Sequence, residues 1–359
     1  MTFLPLKHWP IQLNKPLIIA GPCSAESQTQ VLNTAHALKE TQKVQIFRAG
    51  IWKPRTRPNC FEGIGQKGLP WLTQVKKETG LLTSIEVAKA DHVELALKHN
   101  VDILWIGART TVSPFAVQEI VEALKGTDQM VMVKNPVNHD LNLWLGAFER
   151  LSNGGIQKVM AIHRGFSSDK KGKYRNTPSW QIPRQLREQI PEIPIICDPS
   201  HMAGKREFLK EISQKAFDLN MDGLMIESHI DPDSALSDAQ QQLTPKDLHQ
   251  LLDDLSPPSG QHHPSESLDL LREEIEPLDQ NLLEILGQRM SIVKKIALDK
   301  KKNKKTPLQK KRIENLIQSR IMSGAQLGLK EEYIRSIYQV IHNESVARQS
   351  EIINATKMI

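Results

Sequence analysis

The sequence predicts a (β/α)8 barrel followed by an all-α domain of three helices. Two observations carry the barrel. Eight short apolar runs recur in the first 230 residues, roughly 21–38 residues apart, and amphipathic helical stretches separate most of them. Alternation of that kind places parallel strands inside a layer of helices. A third observation carries the tail. Beyond Ser267 the strand-like runs stop, and apolar residues recur at three- and four-residue steps.

The runs, in order, are LIIA (17–20), VQIF (44–47), LLTSI (81–85), DILWIG (102–107), QMVMV (129–133), QKVMAI (157–162), IPIIC (193–197) and DGLMI (222–226). Between them lie stretches such as TQVLNTAHALKE (29–40), DHVELALKHN (91–100), SPFAVQEIVEALK (113–125) and GKREFLKEISQKAFDLN (204–220). Eight strand–helix units in about 250 residues match a TIM barrel. An open doubly wound sheet usually has fewer strands and gathers its functional loops at a switch point. Here a residue suited to grip phosphate or metal follows every run, which favours the closed barrel. These residues are Cys23, Arg48 with Lys53, Glu86, Arg109, Lys134, Arg164, His201 and Glu227.

The segment DDLSPPSGQHHPSES (253–267) holds paired prolines, serines and histidines and almost no apolar residues, so it reads as an exposed linker. The layout is therefore a barrel over 1–252, a linker over 253–267 and a helical domain over 268–359. In that domain Leu271, Ile275, Leu278, Leu282, Leu286, Met290, Val293 and Ala297 mark one amphipathic helix over 268–300. Pro277 lies inside it and costs about 3 kcal/mol mid-helix, which predicts a local kink or a late start. Two more helices follow, about 307–322 and 330–355, with Gly324 and Gly328 in the turn between them. A helix as long as the first usually packs on another protomer, which predicts a homodimer or higher oligomer through this domain.

Composition sets further bounds. No run reaches 18 apolar residues, so no membrane span is expected. The N-terminal segment MTFLPLKHWPIQLNKP lacks the apolar core of a secretory signal. Three cysteines, Cys23, Cys60 and Cys197, fit a reducing cytoplasm better than a disulfide framework. The formal charge is +6, and residues 268–359 supply most of it with 17 Lys and Arg against 12 Asp and Glu. Few aromatics interleave these cations and no nucleic-acid motif is present, so small polyanions are the expected partners.

The strand-end residues form two chemical sets. Arg48, Lys53, Arg55, Arg57, Arg109, Lys134 and Arg164 are cations that converge on one mouth. At ~4 Å and an effective dielectric of ~20, each like-charged pair costs about 4 kcal/mol. A substrate carrying phosphate and carboxylate offsets that repulsion, and arginine suits it through bidentate geometry. Pairing with barrel carboxylates accounts for one or two of these cations at most, with Arg57 the readiest. The second set is Cys23, His201, Glu227 and Asp238, from strands 1, 7 and 8, which become neighbours when a barrel closes. A thiolate, an imidazole and two carboxylates suit a divalent ion: Mn2+, Fe2+, Co2+ or Zn2+.

GPCSAES (21–27), FRAGIWKPRT (47–56), GART (107–110), VMVKNP (131–136), HRG (163–165), DPSH (198–201) and IESHIDPDSALSDAQQ (226–241) resemble, in order, the 3-deoxy-D-arabino-heptulosonate 7-phosphate synthases. The match covers about 15–255 and is to the short type I enzymes related to the octulosonate phosphate synthases. The Pro-Arg-Thr form of KPRT goes with erythrose 4-phosphate rather than a five-carbon sugar phosphate. The resemblance implies that Cys23, His201, Glu227 and Asp238 ligate the metal, Mn2+ foremost. It implies that Arg48, Lys53, Arg109, Lys134 and Arg164 hold phosphoenolpyruvate, and that Arg55 and Thr56 hold erythrose 4-phosphate; His163 either contacts substrate or fills the strand end. Lys53 is the implied proton donor, and Glu86 the implied helper of water.

The tail segment 268–300 resembles the long first helix of the all-helical chorismate mutases, and ESVARQ (344–349) their third. Arg272, Arg289, Lys300, Gln309, Arg312, Ser345 and Gln349 fall on the substrate-contacting positions of that family. Lys300 and Gln349 would stabilise charge growing on the ether oxygen. Gln309 stands where the family often has Asp, and Ile313 or Glu314 where a Glu follows the arginine. The sequence thus predicts a bifunctional enzyme with feedback inhibition by prephenate. The competing reading makes the tail mainly a ligand-sensing and dimerisation module.

Overall fold

The computed structural model describes residues 1–9, 13, 15–55, 59–167, 172–258, 268–303 and 310–355. The chain divides into two compact units, Met1–His262 and His263–Ile359. In the first, eight strands close into a barrel in sequence order: β1 (Leu17–Gly21), β2 (Ile46–Arg48), β3 (Leu82–Val87), β4 (Ile103–Ile106), β5 (Met130–Lys134), β6 (Val159–His163), β7 (Ile195–Cys197) and β8 (Gly223–Glu227). Every neighbouring pair is parallel, and β8 closes on β1 with Gly21 opposite Glu227. Each of the eight apolar runs overlaps one strand.

Period-two alternation sorts side chains between two cores. Leu17, Ile19, Ile46, Trp105, Met132 and Met225 fill the barrel interior. Their neighbours Ile18, Ala20, Phe47, Leu104, Val133 and Ile226 face outward under the helices. Leu6 and Trp9 join the interior cluster, so the N-terminal segment plugs the barrel on the side of the strand starts. Leu4 fixes that plug by donating its N–H to Gln157 O at 2.9 Å.

The helices between strands are α1 (Gln28–Glu40), α2 (Leu69–Thr79), α3 (Ala90–Lys98), α4 (Ala108–Thr111), α5 (Pro114–Leu124), α6 (Leu141–Asn153), α7 (Gln181–Gln189), α8 (Pro199–Ala203) and α9 (Leu209–Asp218), with α10 (Pro245–Asp253) after β8. Side-chain caps start several of them: Ser27 accepts from Gln30 N, and Asp140 accepts from Asn142 N and Leu143 N.

The second unit is α11 (Leu268–Lys302), α12 (Lys310–Gln326) and α13 (Glu331–Asn354). Helix α11 runs as one element through position 277, so the late start allowed by Pro277 is not found. Ile317, Ile321 and Ile334 form the buried centre between α12 and α13. Val293 and Ala297 of the α11 stripe are buried, whereas Ile275, Leu278 and Leu282 are each more than half exposed within one chain. Among the described residues, no helix is long and apolar enough to cross a membrane.

Candidate active site

The same alternation selects which strand-end residues look into the barrel mouth. Arg48, Glu86, Lys134 and Glu227 continue the inward series of β2, β3, β5 and β8, and Arg164 and Asp198 continue those of β6 and β7. Two glycines make room for them. A Cβ at Gly107 would stand 2.0 Å from Glu86 Oε1. Gly21 has φ +150° and lies against the Arg48 carbonyl, a close approach that excludes a side chain.

Trp105 forms the floor. The Arg48 guanidinium lies 5.0 Å from its ring centre and Lys134 Nζ 5.8 Å. Arg48 is 1% exposed, and its Nη2 is 3.2 Å from Glu227 Oε1, while its Nε and Nη1 have no hydrogen-bond partner among the described residues. Lys134 Nζ donates to Asp198 Oδ2 at 2.7 Å. Burial pulls the Lys134 ammonium down from its ordinary value, against the opposing pull of Asp198. The carboxylates that take up cation charge are therefore paired with Arg48 and Lys134. Arg57, expected to be the paired one, lies outside the described residues, as does Thr56.

Arg164 differs from both. Among the described residues it makes no ion pair; its Nη1 donates to Asn176 Oδ1 at 2.9 Å and to Gly165 O at 3.3 Å. Burial, with Arg175 and Arg109 nearby, brings its guanidinium down to about 10 even though Asp198 supports the charge. A buried cation with no carboxylate of its own is where a bound anion gains most. Arg109 sits half-buried on α4 and adds its field at this point.

The metal-type residues meet on the β1–β8 side. Ligand atoms of Cys23, Glu227 and Asp238 all lie within 4.8 Å of one another. Asp238 Oδ2 is 3.2 Å from Cys23 Sγ, and His201 Nε2 is 3.8 Å from Glu227 Oε1. Glu227 is fully buried, and its Oε1 makes no hydrogen bond among the described residues. Burial and the Glu227 charge push the Cys23 thiol up to about 12. A buried carboxylate oxygen that lies 3.2 Å from the Arg48 guanidinium, beside a buried thiol, a second carboxylate and an imidazole, belongs to a donor set that fits a divalent ion. Lys53 reaches the same edge, donating from Nζ to Cys23 O at 2.8 Å and Cys23 Sγ at 2.9 Å. Arg55 donates from Nε to Phe61 O at 3.1 Å.

Asp198 links the two sets and was not singled out from sequence. It caps α8 by accepting from His201 N at 3.1 Å, and it bonds His201 Nδ1 at 3.0 Å and Lys134 Nζ. This fixes His201 with Nε2 toward Glu227. Although burial alone raises it, His201 and Lys134 hold the Asp198 carboxyl well below the usual range. The signal was present in Asp-Pro-Ser-His, an N-cap with proline at the first helical position. Arg175 and Gln241 were also missed. Arg175 Nη1 donates to Asp238 Oδ1 at 2.9 Å, and Gln241 Nε2 to Glu227 Oε2 at 2.6 Å.

His163 is placed elsewhere. It ends β6 in the outward series, with Trp180, Phe166 and Trp144 rings 5.4, 5.8 and 6.4 Å away. Burial drives its imidazole down to about 3. That is an aromatic wall position rather than a place in the anion cradle. One residue further along, the alternation turns Arg164 inward instead.

In the helical unit, Arg289 of α11 donates from Nη1 to Ser345 Oγ of α13. Ser345 and Gln349 are 3% and 7% exposed. Gln349 Nε2 donates to Ser345 O at 3.1 Å, leaving Oε1 without a partner. Lys300 and Arg289 both bear electrostatically on His342 of α13. Arg272 is exposed at the start of α11. Gln309 and the Arg312 side chain lie outside the described residues.

Residues 12–256 match the DAHP synthetase I family, and residues 271–350 match chorismate mutase type II. A phospho-2-dehydro-3-deoxyheptonate aldolase of Thermotoga maritima is 31% identical over 226 residues, covering 63% of this chain and 64% of the relative. The chain thus spans less than two thirds of that relative's length. A 2-dehydro-3-deoxyphosphooctonate aldolase of Caulobacter vibrioides is 27% identical over 260 residues, covering 66% of this chain and 85% of the relative. The crystal structure of a Thermotoga maritima phospho-2-dehydro-3-deoxyheptonate aldolase superposes with a TM-score of 0.62 at 28% identity, covering 70% of this chain and 72% of that one. A truncated form of the synthase from the same organism gives 0.60 at 26%, covering 70% and 90%. The chain belongs to the DAHP synthetase I family and carries a chorismate mutase type II domain in its helical tail.

Proposed function

We propose that this chain is a bifunctional cytoplasmic enzyme. Its barrel condenses phosphoenolpyruvate with erythrose 4-phosphate to 3-deoxy-D-arabino-heptulosonate 7-phosphate. Its tail rearranges chorismate to prephenate. The observation that carries the barrel reading is Arg164, which among the described residues is buried with no ion pair, while Cys23, Glu227 and Asp238 bring their ligand atoms together at the same barrel mouth.

Arg164, Lys134, Arg109 and Arg48 would hold the phosphate and carboxylate of phosphoenolpyruvate, with Lys53 reaching in from the β2 loop. Arg55 and Thr56 would hold the sugar phosphate. A divalent ion held by Cys23, His201, Glu227 and Asp238, Mn2+ favoured over Fe2+, Co2+ or Zn2+, would supply Lewis-acid polarisation of the sugar aldehyde. The new bond joins C3 of the enol to the aldehyde carbon, and Lys53 gives a proton to the resulting alkoxide. Water then adds at C2, with Glu86 taking its proton, and phosphate leaves by C–O cleavage.

In the tail, Arg289 and Arg312 would bind the two carboxylates, with Ser345 and Gln309 completing the pocket. Lys300 and Gln349 would face the breaking ether bond. The apolar face of α11 left bare within one chain supports a homodimer, in which Arg272 of each protomer serves the other's pocket. Prephenate bound at the tail is the proposed feedback inhibitor of the barrel.

The test measures phosphoenolpyruvate consumption and chorismate loss on one preparation, with and without chelator. Chelator should stop the first and spare the second. Insensitivity of the barrel reaction to chelator sinks the metal assignment, and no chorismate loss leaves the tail as a sensing module. Because relatives named as octonate aldolases align over most of their length, the assay includes arabinose 5-phosphate as a competitor. If it outcompetes erythrose 4-phosphate, the heptulosonate reading is wrong. Inhibition by prephenate that persists undiminished in Arg289→Ala would sink the feedback reading.

A further inference from the structure

Three residues of α13 share one face at i, i+3 and i+7: His342, Ser345 and Gln349. Ser345 accepts from Arg289, and Gln349 Oε1 is buried with no hydrogen-bond partner among the described residues. His342 Nε2 is shut off from solvent and, among the described residues, has no hydrogen-bond partner. A buried ring nitrogen without a partner is costly unless something bonds it. Arg289 and Lys300 of α11 are the charged groups that bear on it, and both lie on the substrate-contacting positions described above.

We infer that His342 is a further substrate-contacting residue of the tail's pocket, its Nε2–H donating to a carboxylate oxygen of the bound dicarboxylate. This rests on the mutase reading and extends it. Arg289 and Lys300 answer the charge of the ligand as point and fork cations. A neutral imidazole adds direction without adding more positive charge to a pocket that already holds two cations. Burial and those two cations hold the imidazole below its ordinary value, which keeps it neutral around pH 7. A bound dicarboxylate offsets the cations, so occupancy raises the His342 pKa.

The experiment uses the full chain with His342→Leu, His342→Gln and Arg289→Ala. His342→Leu should lower kcat/KM for chorismate roughly 10–100-fold, the loss of a hydrogen bond to a charged group. His342→Gln, which keeps a donor, should recover most of it. Histidine ring NMR with added prephenate should move one imidazole signal, assigned by its absence in His342→Gln, toward the protonated position. The inference is overturned if Arg289→Ala abolishes chorismate turnover while His342→Leu stays within twofold of the parent and no imidazole signal moves. If Arg289→Ala itself leaves turnover intact, the mutase reading falls, and this inference falls with it.

Discussion

The barrel completes its own site, whereas the helical tail does not. At the barrel mouth the buried Arg48 and Lys134 each have an acid beside them, whereas Arg164 makes no ion pair among the described residues, and Asp198 ties Lys134 to His201 in a single hydrogen-bonded unit. In the tail, among the described residues, Arg289 bonds a hydroxyl, Gln349 Oε1 and His342 Nε2 have no hydrogen-bond partner, and Ile275, Leu278 and Leu282 of the α11 stripe are exposed. The contrast follows from architecture. A closed sheet points eight strand ends at one small volume, so opposite charges meet within one chain. Three helices enclose too little volume to cover a 35-residue helix on all sides.

The sharpest break of this comparison is a pair of single variants. Cys23→Ala should reduce the barrel's metal-dependent turnover about 1000-fold or more while chorismate turnover continues, and Arg289→Ala should do the reverse. Both rates come from one coupled assay; loss of both activities in either variant would show that the sites are not separable. Asp198→Asn should weaken metal binding by roughly 10–100-fold and raise KM for phosphoenolpyruvate in the same protein. Metal titration and steady-state kinetics test it, and a change in only one of the two would undo the hub role. Leu278→Lys with Leu282→Lys should dissociate the proposed dimer and make mutase activity depend on protein concentration, read by analytical ultracentrifugation. A parent chain that sediments as a monomer contradicts the explanation given for the bare stripe.

The smallest effect concerns His163. Its folded pKa of about 3 lies below the ordinary 6.5, so the unfolded chain binds more protons between those values. Stability should therefore be full above about pH 6.5 and fall by about 1.4 kcal/mol per unit as pH drops toward 3. His163→Leu should flatten part of that slope in denaturant melts at pH 5 and pH 7. An unchanged slope would mean that the ring is not buried among Trp144, Phe166 and Trp180 as described. Retention of KM for phosphoenolpyruvate in the same variant separates a wall residue from a substrate contact.

Local pattern was enough for the strands, because an apolar run of five residues flanked by helix caps has few other uses. It was enough to mark Lys134 and Glu227, one step past their runs, Arg164, two steps past, and Cys23, three steps past, as residues near the barrel mouth. It was not enough for Asp198, Arg175 and Gln241, whose partners Lys134, Asp238 and Glu227 lie 64, 63 and 14 residues away and leave no local periodicity. His163 and Arg164 show the limit most plainly. They are adjacent in HRG, yet strand alternation sends one into an aromatic wall and the other into the site.

The sequence by itself determined the order of elements, the break near residue 260 and the chemical types gathered at the strand ends, since these depend on periodicity and residue identity alone. Only the tertiary structure decided which cations are neutralised and which is left for an anion. That choice depends on inward or outward register, on a few ångströms between groups far apart in the chain, and on burial that makes an unpaired charge costly. The same holds for the tail. Its stripe is legible in the residues, but only the packing of α11 against α13 shows which of its residues are covered and that Ser345 and Gln349 are buried on the face of α13 they share with His342.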